Sequence, residues 1–363
     1  MKALPKLVAI SVLTLLAMGA NAKSNFDIIA NLDEGPGNVT VTDNGRIIMS
    51  LHQFYQPKFT VVEYKDKKLV PFPNKELVDV DSKAHMKLDS VLGIRTANDI
   101  VWMLDNGMRS GVTPKLVGWD IKSDKLHQVI WLAPPIAPKD AFVNDFSVDT
   151  RHNIIAISDP AGGVNAGLIV VNLNSGKVRR VLQGHNSVIP ENVDLIIDNV
   201  PIQVKDNLGN LSRPHIGVNP ITEDLNNEWI YFGPMHGHNL YRIKADDLAN
   251  ESMPENELAS RVERYSDKPI SDGISIDKDN NIYLGELAEN AIGVITPDRK
   301  YQRLSQCPRL SWVDSFSFGP NGDLFAVVNR LHQSAILNGG VLAAKPPFYL
   351  LKVHALTSGL PGR

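Results

Sequence analysis

The sequence predicts an all-β fold, a six-bladed β-propeller with four antiparallel strands per blade, on three observations. A short phrase recurs six times, each copy alternates with the two-residue period of a strand, and the two ends of the chain complement one another. The clearest copies are Asn144-Asp145-Phe146-Ser147-Val148-Asp149, Asp272-Gly273-Ile274-Ser275-Ile276-Asp277 and Asp314-Ser315-Phe316-Ser317-Phe318-Gly319. Each starts polar, runs apolar at alternate positions, turns on Asn, Asp or Gly, and restarts with a hydrophobic pair. Those pairs are Ile154-Ile155, Ile282-Tyr283 and Leu324-Phe325.

Taken in order, the first copy runs from Asn38 through the turn Asp43-Asn44-Gly45 to Ile47-Ile48. The second runs from Ser90 through Asn98-Asp99 to Ile100-Val101-Trp102, and the third is the Asn144 copy. The fourth reads Pro214-His215-Ile216-Gly217-Val218, with a longer turn through Glu223-Asp224 to Trp229-Ile230-Tyr231. The fifth and sixth start at Asp272 and Asp314. Tight Asn/Asp/Gly turns between alternating runs make hairpins. A third strand follows each hairpin, as in Leu168-Ile169-Val170-Val171 and Ala291-Ile292-Gly293-Val294-Ile295. A fourth follows a polar turn, as in Val178-Arg179-Arg180-Val181-Leu182. Four strands in about fifty to sixty residues is a propeller blade. Helical patterning is scarce; residues 245–249 suit one brief turn. Phe26-Asp27-Ile28-Ile29-Ala30 lacks a hairpin partner, and the last copy lacks an outer strand beyond residues 348–353. The first segment is therefore expected to complete the last blade, closing the ring and hiding an edge.

Composition narrows the function. Charged residues are 21% and hydrophobic ones 43% of 363 residues, with a formal net charge of -3, which argues against nucleic-acid binding. The single cysteine, Cys307, rules out an internal disulfide or a multi-cysteine zinc site. Phosphate-loop, dinucleotide and Gly-x-Ser-x-Gly fingerprints are absent, so no nucleotide cofactor is expected. Lys2 and Lys6, the apolar residues 7–20 and Ala20-Asn21-Ala22 form a signal-peptide pattern over residues 1–22. Cleavage after Ala22 would leave one propeller domain, residues 23–363, without a membrane span, periplasmic or secreted.

The innermost strand of each blade begins beside the central channel. The first residues of the six copies are thus expected to ring one mouth: Gly37, Ser90, Asn144, Pro214, Asp272 and Asp314, with Asn38, Asp145 and His215 one step on. The chain resembles the major royal jelly protein/yellow family, especially its exported bacterial members. The resemblance rests on Pro36-Gly37-Asn38-Val39, Trp102-Met103-Leu104-Asp105-Asn106-Gly107-Met108-Arg109, Arg179-Arg180-Val181-Leu182 with Gly184-His185, Asn329-Arg330-Leu331-His332 and Lys345-Pro346-Pro347-Phe348. It implies the same propeller but no single activity, since relatives include proteins linked to dopachrome conversion, amine-binding proteins and nutritive proteins. Bacterial relatives are labelled dopachrome tautomerase-related. More distantly the chain resembles gluconolactonase/regucalcin propellers, which hold a divalent metal at the channel mouth. Glu34-Gly35-Pro36 matches their first ligand phrase, Ser271-Asp272-Gly273 their Asp phrase and Asn144-Asp145 their substrate-side Asn. Their metal-binding Asn falls at Pro214 or His215, so that ligand is missing.

These readings make Glu34, Asn144 and Asp272 the candidate ligands for Ca²⁺ or another divalent cation, which oxygen donors suit. Asp272 and Asp314 are candidate general bases for metal-assisted lactone or ester hydrolysis. An Asp at a strand entry also commonly caps its own turn. Candidate ligand-binding residues are Asn144, Asp145, His215, Arg109, His236 and His238. His236 and His238 would share a face if they lay on a strand. Arg109 offers a cation to an anionic substrate, or braces its loop. Residues 331–347 form a long connection that suits a lid. Three functions stay open: an exported small-molecule-binding propeller, a metal-dependent hydrolase, and a dopachrome-type tautomerase or isomerase. No protein partner is named by the sequence.

Overall fold

The computed structural model describes residues 25–363; the expected leader, residues 1–22, lies outside them. β1 (Phe26–Leu32) precedes the first hairpin. Blade 1 is β2 (Pro36–Val41), β3 (Ile47–Leu51), β4 (Val61–Lys65) and β5 (Lys68–Pro71). Blade 2 is β6 (Val91–Ala97), β7 (Ile100–Asp105), β8 (Lys115–Asp120) and β9 (Lys125–Trp131). Blade 3 is β10 (Phe146–Asp149), β11 (Ile154–Asp159), β12 (Gly167–Asn172) and β13 (Val178–Val181). Two small ladders follow: β14 (Ile196–Ile197) with β15 (Val200–Pro201), and β16 (Val204–Lys205) with β17 (Leu211–Ser212). Blade 4 is β18 (Val218–Glu223), β19 (Trp229–Pro234), β20 (Asn239–Lys244) and β21 (Glu263–Asp267). Blade 5 is β22 (Ile274–Ile276), β23 (Ile282–Glu286), β24 (Ala291–Ile295) and β25 (Tyr301–Gln306). Blade 6 is β26 (Val313–Phe318), β27 (Leu324–Val328) and β28 (Phe348–Val353), with β1 as its outermost strand. The fold is a six-bladed β-propeller.

The ring closes as the two ends require. β1 pairs antiparallel with β28 from Phe26↔Val353 to Leu32↔Phe348. The core is divided into wedges shared by neighbouring blades. Ile48 and Val61 pack with Ile94 and Met103 between blades 1 and 2, and Tyr283 and Ile292 with Phe316 and Leu351 between blades 5 and 6. A blade is a flat sheet and cannot bury both faces alone, so each depends on its neighbours. The turn of helix at Ala245–Ala249 is present. Among the described residues no helix is long and apolar enough to cross a membrane.

Two expected registers are corrected. Blade 4 does not enter at Pro214. Its inner strand pairs Ile221↔Phe232 and Thr222↔Tyr231, so the repeat phrase is Asn219-Pro220-Ile221-Thr222-Glu223-Asp224. Pro220 hides it, because a proline reads as a strand breaker; here it sits in the register shift between Val218 and Ile221, where the ladder is interrupted. In blade 2 the shift lies between Val91 and Ile94, so Leu92 rather than Ser90 takes the ring position. Similar shifts occur at Pro36/Val39 and Val313/Ser315. Such bulges turn an entering side chain out of the sheet, here toward the axis.

Residues 356–363 form an unforeseen element that runs across the far end of the channel. The Leu356 and Gly362 amides donate to Tyr283 Oη and the Phe318 carbonyl, and the Ser358 carbonyl accepts from the Lys278 amide. The Gly362 carbonyl accepts from Thr40 Oγ1 at 3.2 Å and the Thr96 amide at 3.4 Å. Gly362 has φ +87°, and a Cβ there would stand 2.1 Å from the Thr96 carbonyl, so only glycine fits. Arg363 donates to the carbonyls of Val148 and Asp224. The segment thereby ties the inner regions of all six blades.

Candidate functional site

The strand entrances converge on a cavity of about 460 Å³ at one channel mouth. Its floor holds Asn38, Asn144, Asp145, Asn219, Asp272 and Asp314. Its walls include Phe54, Met108, Phe142, Trp312, Ile336 and Leu337. Phe54 follows β3, Phe142 precedes β10, and Ile336 and Leu337 belong to the long connection of blade 6. That connection is ordered against the small ladders: the Gln203 amide donates to the Leu337 carbonyl, and the Gly339 amide to the Gln203 carbonyl, each at 2.9 Å. Leu195, Ile197, Leu331 and Leu337 pack with Trp312 and Met235 in a cluster beneath both segments.

A relay of amides holds the floor. Asn144 Nδ2 donates to Asn219 Oδ1 at 2.5 Å, and Asn219 Nδ2 to Asp272 Oδ1 at 2.6 Å. Trp312 Nε1 donates to the other Asp272 oxygen at 2.7 Å. Asn329 Nδ2 donates to Asp314 Oδ2 at 2.5 Å, and Asn38 Nδ2 to Asp145 Oδ1 at 2.6 Å. Gly273 allows this crowding, since a Cβ there would lie 2.6 Å from the Asp314 carbonyl and 3.1 Å from Asp145 Oδ2.

Three acids so enclosed resist ionisation. Burial pushes Asp272 up to about 7; its bond from Trp312 opposes the rise and the charge of Asp145 adds to it. Asp314 is raised well above the carboxylate range by burial, then by the charges of Asp272 and Asp145. Asp145 is also raised by burial, against the pull of Arg95 and the bond from Asn38. Lys268, buried near Asp272, is pulled down to about 7 by burial, and its ammonium is directed at the carbonyls of Gly237 and Pro269.

The sign of the pH effect follows. A carboxyl raised from 3.8 to about 7 stabilises the fold fully below its unfolded pKa, and that contribution is lost as pH rises through about 7. Asp314→Asn keeps an oxygen for Asn329 and removes one charge from the floor. Its stability relative to the parent is expected to improve between pH 4 and 8, reaching about 1 kcal/mol. Melting temperatures of both proteins across that range check this; a pH-independent difference would count against it.

The other expected site residues are distributed as follows. His215 lines the cavity wall, its Nε2 3.1 Å from Asp194 Oδ1. His52, missed by the sequence reading, also lines it; burial pulls it down to about 3, and its Nδ1 accepts from the Phe54 amide. Glu34, Arg109, His236 and His238 are not among the lining residues. Glu34 precedes β2 by two positions, and Gly37 occupies the ring position of blade 1. Arg109 Nη1 donates to the Pro57 carbonyl and braces its loop. His236 and His238 lie on a bend after β19, where the i, i+2 rule for strands does not apply. His236 accepts from the Ile216 amide, and His238 lies 3.4 Å from the Lys268 carbonyl.

The amide that seemed missing from blade 4 is Asn219, bonded directly to Asp272. The signal was the phrase Asn-Pro-Ile-Thr-Glu-Asp, which matches the other copies once Pro220 is allowed. The donors still do not fit the resident cation implied by the gluconolactonase resemblance. Both oxygens of Asp272 accept hydrogen bonds, and Glu34 stands outside the cavity lining. Among the described residues no group of three or more His, Cys, Asp or Glu side chains is placed to hold a metal ion.

Comparison with solved structures agrees on the architecture. A regucalcin from Agrobacterium tumefaciens is 14% identical with a TM-score of 0.55, covering 92% of this chain and 95% of that one. A luciferin-regenerating enzyme is 13% identical with a TM-score of 0.54 over the same shares, 92% and 95%. A gluconolactonase from Xanthomonas campestris is 12% identical with a TM-score of 0.51, covering 91% and 88%. At these identities the likeness is one of fold. In sequence, Major royal jelly protein 3 of Apis mellifera is 22% identical over 218 residues, which are 57% of this chain and 38% of the relative's length. The family model described as Major royal jelly protein matches residues 90–312, more than half of the chain and four of its six inner strands in full. The chain therefore belongs to the major royal jelly protein family.

Proposed function

We propose that this protein is an exported binding propeller that takes a small organic cation with an aromatic or apolar body in the cup at its channel mouth. One observation carries the reading: three buried carboxyls, Asp145, Asp272 and Asp314, lie on the floor of a cup whose walls include Phe54, Phe142 and Trp312. Buried acids held close together favour a bound positive charge, which relieves their repulsion, and aromatic faces suit an organic cation. The cup is within the size range of small-molecule sites. Export rests on the leader pattern of residues 1–22.

Calorimetric titration at pH 8 with tryptamine and its neutral counterpart tryptophol tests the binding. The amine is expected to bind one to one, at least about tenfold tighter than the alcohol, and to lose at least about tenfold in Asp314→Asn. Equal affinity for amine and alcohol, or no response to any cationic amphiphile, would remove this reading.

A second reading, the isomerase alternative, is favoured by the Asp194–His215 pair. Bonds from His215 and Arg213 hold Asp194 below the usual carboxylate range, so it orients an imidazole on the cavity wall. His215 and the acid floor would then move a proton between two positions of one bound molecule. His215→Gln with binding retained and turnover abolished would support this over binding alone. The metal-dependent hydrolase alternative has no donor set of its own to rest on. Calcium and magnesium are expected to leave the melting temperature unchanged; a stoichiometric divalent ion in the purified protein would revive it.

A further inference from the structure

Below the cup lies a second, smaller cavity of about 100 Å³, lined among others by Arg95, Ser147, Thr222, Glu223, Gly362 and Arg363. Among the described residues, three of its side chains carry a buried polar atom without a well-formed hydrogen bond: Arg95 Nη2, and Ser147 Oγ and Glu223 Oε2, which stand beside each other. They come from β6, β10 and β18, three different blades. All three residues are more than nine-tenths buried, at 5%, 5% and 1% exposure. One orphaned atom is an accident of packing; three around one cavity are a site awaiting an occupant.

The charges indicate which occupant. Glu223 Oε1 lies 3.6 Å from Arg363 Nη2. Burial pushes Glu223 up to about 8, so at neutral pH it also supplies a proton. Among the described residues Arg95 has no carboxylate in contact: its Nη1 donates to Asn38 Oδ1 and the Ile94 carbonyl, and Asn38 stands between it and Asp145. Asp43, at the exposed rim, is the other acid of the lining. A buried guanidinium without a contacting anion is costly, and a small anion removes that cost more fully than water does. The Ser147 hydroxyl lies beside Glu223 and can rotate to donate into the cavity.

We propose that this cavity binds one small monovalent anion of halide size, held by Arg95 Nη2 and Ser147 Oγ and closed in from below by residues 360–363. The site shares no lining residue with the cup.

Thermal unfolding in sodium chloride or bromide against sodium gluconate, at equal ionic strength, tests the site. A saturable halide-specific rise of about 2 °C is expected. Ser147→Ala removes one hydroxyl beside Glu223 and leaves the β10 backbone pairing intact, so the variant should fold, and its melting in gluconate sets its own baseline. Its apparent halide affinity should fall at least about fivefold. Crystals grown in bromide should show an anomalous peak beside Arg95. Superimposable halide and gluconate curves, an unchanged halide response in Ser147→Ala, or water alone in the cavity of bromide-grown crystals would each overturn the proposal.

Discussion

Trp312→Ala is expected to destabilise the protein by about 3–5 kcal/mol and to dismantle the cup. Trp312 is 1% exposed and joins two systems. Its ring packs with Leu331, Leu337, Met235 and Ile270 beneath the loops that shape the mouth, and stacks on His332 with centroids 6.0 Å apart and planes at 10°. Its indole N–H is one of the two donors on Asp272. Truncation therefore opens a large void and leaves a buried carboxylate with half its hydrogen bonds. Trp312→Phe separates the two roles, since most of the ring volume stays and the donor is lost. That variant is expected to lose about 1–3 kcal/mol, mostly above pH 7, where Asp272 is ionised and needs the bond. Urea unfolding at pH 5 and pH 8 measures both. A Phe variant as stable as the parent at both pH values would show that the indole N–H does not hold Asp272.

Removing residues 25–32 is expected to abolish cooperative folding, a loss of more than about 5 kcal/mol. The segment pairs with β28 along its length and buries Phe26, Ala30 and Leu32 at the seam. Without it β28 becomes an open edge and the two wedges flanking blade 6 lose a wall, Phe26 serving one and Leu32 the other. Leu32→Ala is the milder test, at about 2–4 kcal/mol. A synthetic peptide of residues 25–33 added in trans should restore a melting transition to the truncated chain. A truncated protein that melts like the parent would mean that the residues 356–363 staple suffices to close the ring.

The cup illustrates a stability–function conflict. The Asp314 carboxyl accepts a hydrogen bond from Asn329 and suffers two neighbouring acids, so its neutralisation should help the fold and harm the binding of a cation. Tertiary structure keeps these acids together at a cost that protonation or a bound cation would relieve.

Much of the architecture could be read from the chain. Period-two alternation and Asn/Asp/Gly turns are local properties, so six hairpins, their third strands and the unpaired first segment were all visible. Hydrophobic pairs such as Ile154-Ile155 and Leu324-Phe325 set the register of four copies, because a slip by one residue would turn the buried face to water. Asp272, Asp314, Asn144 and Asp145 could be read for the same reason, as entry residues of clean copies. Asn219 could not, because Pro220 imitates a strand end and only the pairing of Ile221 with Phe232 exposes the bulge. Glu34-Gly35-Pro36 matches a ligand phrase, yet the ladder of β2 and β3 puts Gly37 on the ring, as the register of the copies expects, and leaves Glu34 outside the cavity lining.

Local periodicity, and which segments lack partners, are enough to specify the propeller, its closure and the acid entries of blades 3, 5 and 6. Tertiary structure alone decided that Trp312 bonds Asp272, that Asn219 completes the floor and that residues 356–363 close the far end. It alone decided that Arg95 is buried beside a cavity without a contacting carboxylate. Those facts join residues far apart in the chain, and such contacts depend on how blades are set around an axis. No periodicity within a single blade encodes that arrangement.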